Sequence, residues 1–288
     1  MSGGWEDWQW DDTLFRGAAG YYDRGRLPYS PALVDAFEAA LSLDGTGRML
    51  DVGCGPGTIA LRITGLFTEV VGVDADADMI EMAHQLAVER GVDNASWVHM
   101  RAEELPADLG VFRLVTFGAS FHWMDRPMVA RTVRAMLDPA GVVVHVDNRH
   151  QDSLAPSSLP PVPRAEIDGL RRRYLGPDRR AGASIRNTSP GDEAQIFRAA
   201  GFEGPEVVVV PDGRDLARTV DDVVAEVFSM SSTAPHLFGD RQDRFEDELR
   251  EILVRAAGTG KELGVRLPDN ELNIWRPVHH AAMVDAVP

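Results

Sequence analysis

The stretch MLDVGCGPGTIAL, residues 49–61, places three glycines at alternate positions directly after an apolar run. They are Gly53, Gly55 and Gly57. Without Cβ atoms, such a turn can adopt dihedral angles that other residues avoid, and a ligand can lie directly on the main chain. If a helix follows the turn, its free amides point toward that ligand. The stretch therefore predicts a strand, a ligand-binding turn and a helix, in that order.

The same alternation of strand and helix continues along the chain. EVVGVD at residues 69–74 predicts a second strand, and residues 76–90 carry apolar side chains at helical spacing. Apolar, β-branched strands that alternate with helices predict a parallel sheet covered by helices on both faces. The other predicted elements of this half are helices at 58–66 and 126–137 and strands at 48–52, 95–100, 112–117 and 141–146.

The second half of the chain breaks this alternation. Residues 148–192 are rich in proline and arginine and include a predicted helix, RAEIDGLRRRYL, which we interpret as part of a lid. Beyond it we predict helices at 192–200, 221–229 and 245–257 and strands at 206–210 and 272–278. Without an internal repeat, the sequence predicts a single domain over residues 1–288: an N-terminal arm with helices at 1–45, a ligand-binding core at 46–147, the lid at 148–192 and the rest of the sheet and helices at 193–288.

Charge and composition restrict the expected partners. The chain has 29 Lys and Arg against 45 Asp and Glu, a formal net charge of -16. Such a charge disfavours nucleic acid and anionic membranes as partners. A single cysteine, Cys54, cannot form an internal disulfide, and the sequence shows neither a signal pattern nor an apolar run of about 18 residues. We therefore expect a cytoplasmic protein, and the spacing of the histidines predicts no metal site.

An acidic residue at the end of the second predicted strand indicates the kind of ligand. A carboxylate at Asp74 can accept hydrogen bonds from both hydroxyls of a ribose. With the glycine turn it predicts a nucleoside-containing ligand, the alternative being an ordinary tight turn beside a surface aspartate. A dinucleotide fingerprint would need its third glycine at Thr58, and here that glycine comes one residue earlier. The spacing therefore disfavours a dinucleotide.

These motifs resemble those of the class I S-adenosylmethionine-dependent methyltransferases. The family's first motif is typically an acidic residue followed by G-x-G-x-G, here Asp51 and the three glycines, and Asp74 matches its ribose-binding acid. RAEELP at 101–106 is similar to the segment that lies along the adenine, and LDPAGVVV at 137–144 is similar to the turn into the fifth strand. The resemblance covers about residues 21–147.

The resemblance implies a fold and a reaction. The fold is a doubly wound, Rossmann-like α/β sheet of seven strands in the order 3-2-1-4-5-7-6, with the last strand antiparallel. The cofactor would be S-adenosylmethionine and its product S-adenosylhomocysteine, in a monomer or homodimer. The expected reaction methylates a small organic acceptor in natural-product biosynthesis, at an oxygen of a secondary metabolite or carboxylic acid. The alternatives are N- or C-methylation, a non-methylating enzyme such as a cyclase, and a catalytically silent binding protein.

The resemblance also assigns cofactor contacts. AAGYYDRGRLPYSPALVD resembles the N-terminal segment of trans-aconitate and natural-product methyltransferases, where Tyr21 or Tyr22 closes over the methionine end. Arg26 has a physical reason to lie there, because a buried carboxylate needs a cationic partner. The expected cofactor contacts are Tyr21, Arg26, Asp51, Gly53, Gly55, Gly57, Asp74, Ala75, Ala102, Glu103 and Ala119.

The acceptor site is predicted around GASFHWMD, residues 118–125, which follows the fourth strand. His122 is the predicted acid–base or acceptor-positioning group, and Phe121 and Trp123 are predicted to line the acceptor pocket. The arginines of the lid, Arg173 among them, could bind an acidic group of the acceptor, although a solvated helix face is the alternative. The tryptophan-rich arm, WEDWQW at residues 5–10, has no assigned role.

Overall fold

The computed structural model describes residues 11–149, 157–182, 184–185 and 191–278. The tryptophan-rich arm at 5–10 and part of the predicted lid lie outside these ranges. The described α-helices are α1 Ala19–Gly25, α2 Leu33–Leu41, α3 Ala60–Ile63, α4 Ala77–Glu89, α5 Arg126–Ala135, α6 Arg164–Leu175, α7 Glu193–Ala199, α8 Val220–Phe228 and α9 Gln242–Ala257. The described strands are β1 Arg48–Val52, β2 Glu69–Asp74, β3 Ala95–His99, β4 Phe112–Gly118, β5 Leu137–Asn148, β6 Arg180–Ala181, β7 Ser184–Ile185, β8 Phe202–Val210, β9 Asp215–Thr219, β10 Glu262–Arg266 and β11 Asn270–Pro277.

The main sheet has seven strands in the order β3-β2-β1-β4-β5-β11-β8. Strands β1 to β5 pair in parallel, and β11 is antiparallel to both β5 and β8. The predicted order 3-2-1-4-5-7-6 is therefore confirmed. The order reverses between β1 and β4, where Met49 lies opposite Leu114. In such sheets the ligand crevice lies beyond the carboxyl ends of the strands at this reversal.

Helices cover both faces of the central strands of the sheet. In β1 the neighbouring side chains of Met49 and Leu50 point to opposite faces, and both are fully buried. On one face, β1 packs with α2, α3 and α4, while on the other it packs with α5 and α7. This double burial explains why β1 carries apolar side chains toward both faces, with Asp51 as a buried polar exception.

A second layer of helices lies beside the carboxyl-end crevice. Helices α6, α8 and α9 share an apolar cluster that contains Phe228, Phe238 and Phe245. The predicted lid helix, α6, packs on α9 in this layer. Strands β9 and β10, which sequence patterns did not predict, form a small antiparallel sheet at its side. They are short and rich in charge, so they lack the apolar run that marked the other strands.

The helix after the glycine turn is shorter than expected. The sequence predicts one helix over 58–66, whereas the structure has α3, Ala60–Ile63, followed by a 3₁₀ turn, Thr64–Leu66. Thr64 is β-branched and Gly65 lacks a side chain, and both residues disfavour the interior of an α-helix.

Candidate functional site

Two adjoining cavities lie at the carboxyl ends of β1 and β4. They hold about 660 and 850 Å³ of empty space, including open solvent at their mouths, and share four wall residues, Tyr22, Gly53, Gly118 and Ala119. The first cavity is further lined by Phe15, Gly55, Val73, Asp74, Ala75, Met79, Met100, Arg101, Ala102, Glu103, Ser120, Trp123 and Met124. The second cavity is further lined by Arg26, Leu27, Tyr29, Asp51, Cys54, Thr58, Ile59, Asn148, Glu226 and Met230.

The three positions of the turn carry glycine for different structural reasons. All have positive φ, at 68° for Gly53, 54° for Gly55 and 78° for Gly57. A Cβ on Gly53 would lie 2.6 Å from the Cβ of Ser120, and one on Gly57 would lie 2.5 Å from the Trp97 ring. A Cβ on Gly55 would meet nothing closer than 3.8 Å. The fold therefore requires glycine at positions 53 and 57, whereas Gly55 leaves space in the first cavity.

Asp74 joins the glycine turn to the end of β2. Its Oδ2 accepts a hydrogen bond from the Gly55 amide at 2.8 Å, and its Oδ1 accepts one from the Asp76 amide at 2.9 Å. Burial raises the pKa of Asp74 to about 6. Each carboxylate oxygen can still accept a second hydrogen bond. This arrangement suits the two neighbouring hydroxyls of a ribose.

The rest of the first cavity suits a flat aromatic base. Met79 and Met100 are buried apolar walls, and Trp123 packs edge-to-face against Phe15 with ring centroids 6.2 Å apart. Glu103 is fixed at the rim because its Oε1 accepts a hydrogen bond from the Asp125 amide at 2.8 Å. Trp123, predicted for the acceptor pocket, lies here instead. Of the other predicted cofactor contacts, Ala75 and Ala102 also line this cavity.

The second cavity holds groups of opposite charge. The Arg26 guanidinium lies 4.8 Å from the ring centroid of Tyr22, and its Nη2 donates to the carbonyl of Ser229 at 2.8 Å. Its Nε is buried and has no hydrogen-bond partner in the part of the chain that the structure describes. Asp51 accepts a hydrogen bond from the Thr116 hydroxyl at 2.7 Å, and burial raises its pKa to about 7. A cation and a carboxylate in one cavity suit a zwitterionic group such as the end of an amino acid.

The wall between the cavities is a strained turn after β4. Ala119 has a φ of 53°, in the left-handed region that residues other than glycine rarely adopt. The Ser120 hydroxyl holds this turn against β1 by donating to the Val52 carbonyl at 2.6 Å. Strained backbone of this kind clusters at ligand sites, where the surrounding structure maintains it. Ala119, a predicted cofactor contact, lines both cavities.

The structure corrects the choice between the two neighbouring tyrosines. The predicted contact, Tyr21, packs its ring on Phe228 at 5.1 Å, in the apolar cluster of α8 and α9. Tyr22 lines both cavities. Consecutive residues of a helix point about 100° apart, so only one of the pair can face the site.

The acceptor-site predictions for Phe121 and His122 need a similar correction. Phe121 is 2% exposed and packs in the core against Phe117 and Phe197. Among the described residues that line the two cavities, His122 does not occur. Burial lowers the pKa of His122 to about 4, although the nearby Glu193 carboxylate acts in the opposite direction. A 3₁₀ turn at Phe121–Trp123 directs successive side chains about 120° apart. This placement argues against proton transfer at the cavities by His122.

The lid arginines also differ from the prediction. Arg173, predicted for the substrate pocket, is 62% exposed and pairs with Glu248 of α9. Arg171 is 6% exposed, and its Nη1 donates to the carbonyls of Gly176 and Asp178 at 3.3 and 3.0 Å. Neither arginine is among the described residues that line the cavities. Arg171 instead holds the end of α6 to the loop that follows it.

We expect Arg171→Ala to lower the free energy of unfolding by about 2 kcal/mol or more, because carbonyl groups lose a buried charged donor. The neighbouring variant Arg173→Ala is the matched control and should change it by less than about 0.5 kcal/mol, as is usual for an exposed ion pair. Urea denaturation measures both. Equal losses from the two variants would contradict the structural role of Arg171.

Several cavity residues escaped the sequence analysis. Phe15 and Tyr29 come from the N-terminal segment, and Met230 and Glu226 come from the second helical layer. Their positions carry no local motif, because tertiary packing alone brings them to the cavities. Asn148 could have been found, since it ends β5 at the same edge of the sheet as the glycine turn.

Within the described ranges, no group of three His, Cys, Asp or Glu side chains could hold a metal ion. None of the helices in those ranges has the length and apolar content that crossing a bilayer requires.

The two raised carboxyl pKa values predict a pH dependence of ligand binding. The pKa values of Asp51 and Asp74 lie above the usual value in the folded chain, so ionising these groups costs stability as the pH rises above about 4. A ligand that donates hydrogen bonds to the ionised forms offsets this cost. We therefore expect the affinity for S-adenosylhomocysteine to rise about tenfold or more between pH 5.5 and pH 8. Calorimetry across this range measures it, and a flat profile would mean that neither carboxylate meets the ligand.

Comparison with known proteins finds similarity to methyltransferases. Residues 49–141 match the family model of the methyltransferase domain. An uncharacterised methyltransferase of Bacillus subtilis, YcgJ, is 35% identical over 102 residues, which is 35% of this chain and 40% of the relative. A tRNA 5-carboxymethoxyuridine methyltransferase of Escherichia coli is 33% identical over 99 residues, which is 33% of this chain and 38% of the relative. The chain thus spans about two fifths of the length of these curated relatives.

Solved structures support the same fold. The crystal structure of the Bacillus subtilis YcgJ protein has a TM-score of 0.50 and 20% identity, covering 86% of this chain and 98% of its own. That of the [4+2]-cyclase SpnF also has a TM-score of 0.50 and 20% identity, covering 88% of this chain and 85% of its own. At this identity the likeness establishes the fold alone.

Proposed function

We propose that this chain methylates a small organic molecule at an oxygen atom, because residues 49–141 match the methyltransferase domain and its motifs resemble those of the class I S-adenosylmethionine-dependent enzymes. S-adenosylmethionine would supply the methyl group and leave as S-adenosylhomocysteine. One observation carries the proposal: a carboxylate suited to a ribose, Asp74, and a charged pair suited to an amino acid, Arg26 and Asp51, lie in adjoining cavities. A molecule with a nucleoside at one end and an amino acid at the other fits both.

The chain's own residues would bind and orient this cofactor. Asp74 would accept hydrogen bonds from the ribose, and Met79 and Met100 would enclose the adenine. The Nε of Arg26, which has no partner in the described ranges, would donate a hydrogen bond to the carboxylate of the cofactor. When bound, the cofactor supplies an electrophilic methyl group on a sulfonium. The wall at Tyr22 and Ala119 would hold the acceptor in line with that group and exclude water, and positioning of this kind contributes much of the rate.

A small acceptor is favoured over a nucleic acid by charge and enclosure. The net charge of -16 opposes the approach of a phosphate backbone. The second cavity lies between the N-terminal segment and α8, which supply Tyr22 and Glu226 to its walls. The name of the Escherichia coli relative makes tRNA the alternative acceptor, and the cyclase of similar fold makes a reaction without methyl transfer another.

The first test of the proposal is cofactor binding. S-adenosylhomocysteine should bind in calorimetry and raise the melting temperature, because a ligand selective for the folded state stabilises it by mass action. Binding of NADH without binding of S-adenosylhomocysteine would overturn the assignment.

The second test is methyl transfer itself. Incubation with methyl-labelled S-adenosylmethionine should label members of a small-molecule panel and leave bulk tRNA unlabelled. Label in tRNA alone would replace the proposed acceptor class. Cofactor binding without any labelled product would favour the cyclase or the silent binding protein.

A further inference from the structure

We propose that Glu226 recognises the acceptor, by accepting a hydrogen bond from the acceptor's own O–H or N–H group. The inference rests on the proposed methyl transfer and narrows its substrates. It assigns the acceptor to molecules with a proton-bearing nucleophile, an alcohol, phenol or amine, and disfavours a free carboxylate as the group that is methylated.

The argument begins with the two oxygens of the Glu226 carboxylate. Glu226 lies on α8, lines the second cavity and is 5% exposed. Its Oε1 pairs with the guanidinium of Arg164, at the start of α6. Its Oε2 is buried without a hydrogen-bond partner in the described ranges. A buried acceptor left unpaired is costly, so such an atom beside a cavity fits a ligand that donates to it.

The surroundings of Glu226 are compatible with a buried negative charge. Arg164 provides one counter-charge, and Arg218 of β9 is close enough to interact electrostatically with Glu226. The Nη2 of Arg218 is engaged with the carbonyls of Gly25 and Asp222, at 2.9 and 2.6 Å, whereas its buried Nε has no hydrogen-bond partner in the described ranges. An ionised carboxylate can accept hydrogen bonds but has none to donate. Its ligand therefore has to be the donor.

The cofactor already has partners for its own polar groups. Asp74 suits the ribose, Arg26 the carboxylate, and Asp51 the ammonium group, whereas Glu226 comes from a different layer of the fold. Helix α8 packs on α1, the helix that carries Tyr22. Glu226 and Tyr22 line the same cavity, and Tyr22 is also a wall residue of the first cavity, so we place the acceptor between them.

A carboxylate acceptor would not fit this position. Its oxygens would lie within hydrogen-bond reach of Glu226, and two like charges at that separation disfavour one another. A hydroxyl or a neutral amine would donate its O–H or N–H to Oε2 and remove the unpaired acceptor. The lone pair of the same oxygen or nitrogen would attack the methyl carbon, the bond from that carbon to the sulfonium sulfur would break, and Oε2 would take the proton that the acceptor loses.

The test uses the full chain saturated with S-adenosylhomocysteine and three matched probes, 2-naphthol, 2-naphthylmethylamine and 2-naphthoate. Binding is measured by ligand-observed NMR for wild type, Glu226→Gln and Glu248→Gln. Glu248 is the matched control, because it also pairs with an arginine of α6, Arg173, yet is not among the described residues that line the two cavities. S-adenosylhomocysteine binding is measured for each variant as a check on folding.

We expect the naphthol or the amine to bind wild type, and Glu226→Gln to weaken that binding about 10- to 100-fold, as loss of a charged hydrogen bond does. Glu248→Gln should bind as wild type does. Preference for the naphthol would mark an oxygen acceptor, and preference for the amine a nitrogen acceptor. The naphthoate binding best, equal binding to wild type and Glu226→Gln, or no probe binding while S-adenosylhomocysteine binds would each overturn the inference.

Two results separate this inference from the proposed function. If Glu226→Gln weakens S-adenosylhomocysteine binding tenfold or more, Glu226 belongs to the cofactor end, and the acceptor role is overturned while the methyltransferase remains. If wild type does not bind S-adenosylhomocysteine at all, the proposed function itself fails.

Discussion

Asp74→Ala is expected to weaken the binding of S-adenosylhomocysteine by about one to two orders of magnitude, because a hydrogen bond to a charged acceptor contributes about 1.5 to 3 kcal/mol. The structure adds a second reason for a large effect. Asp74 accepts the amide of Gly55 at 2.8 Å, so its loss also releases the glycine turn on which the ligand would lie. Isothermal titration calorimetry measures the dissociation constant directly.

Two further variants make this result specific. Asp44→Ala removes the same kind of local turn, since Asp44 accepts the Thr46 amide two residues on at 3.0 Å, but in an exposed loop away from the cavities. It should leave the dissociation constant unchanged. Asp74→Asn keeps the shape and one oxygen acceptor, so it should lie between wild type and Asp74→Ala. An unchanged constant in Asp74→Ala would remove Asp74 from the ligand site.

The features of this molecule that the sequence predicts are those that a short stretch of neighbouring residues determines. The glycine turn follows a run that is mostly apolar because both faces of β1 are buried, and Asp74 ends the next strand. Strand order follows from the family resemblance and is confirmed. The glycine turn, Asp74 and the strand order together locate the cavities before any side-chain contact is known.

The parts that escaped prediction depend on rotation about an element or on long-range packing. Tyr21 and Tyr22 differ by one position on α1, and only Tyr22 faces the cavities. At the turn after β4, a difference of two positions likewise sends Phe121 into the core and Trp123 to the first cavity. Glu226 is separated by about half the chain from the strands it faces. No local pattern in an amphipathic helix distinguishes its cavity-lining residue from the others.

Two variants of the glycine turn can separate its role in packing, at Gly57, from its role in ligand binding, at Gly55. Gly57→Ala should lower the free energy of unfolding by about 2 to 5 kcal/mol, combining about 1 to 2 for a left-handed backbone with about 1 to 3 for overpacking. The overpacking arises because the new Cβ would lie 2.5 Å from the Trp97 ring and 3.2 Å from Leu61. Urea denaturation measures this loss.

Gly55→Ala is the matched variant, because it has the same change and a positive φ of 54° but open space around its Cβ. It should lose about 1 to 2 kcal/mol of stability, for the backbone conformation alone. Its methyl group would project into the first cavity, where Gly55 is a wall residue, and so occupy space that the cofactor needs. We therefore expect a folded protein whose affinity for S-adenosylhomocysteine is at least about tenfold lower, since overlap of one methyl group in a close-packed site typically costs about 1 to 3 kcal/mol. If Gly55→Ala binds normally, the ligand does not lie on the main chain at this position. If Gly57→Ala is as stable as wild type, the Trp97 ring yields, and packing does not require a glycine at position 57.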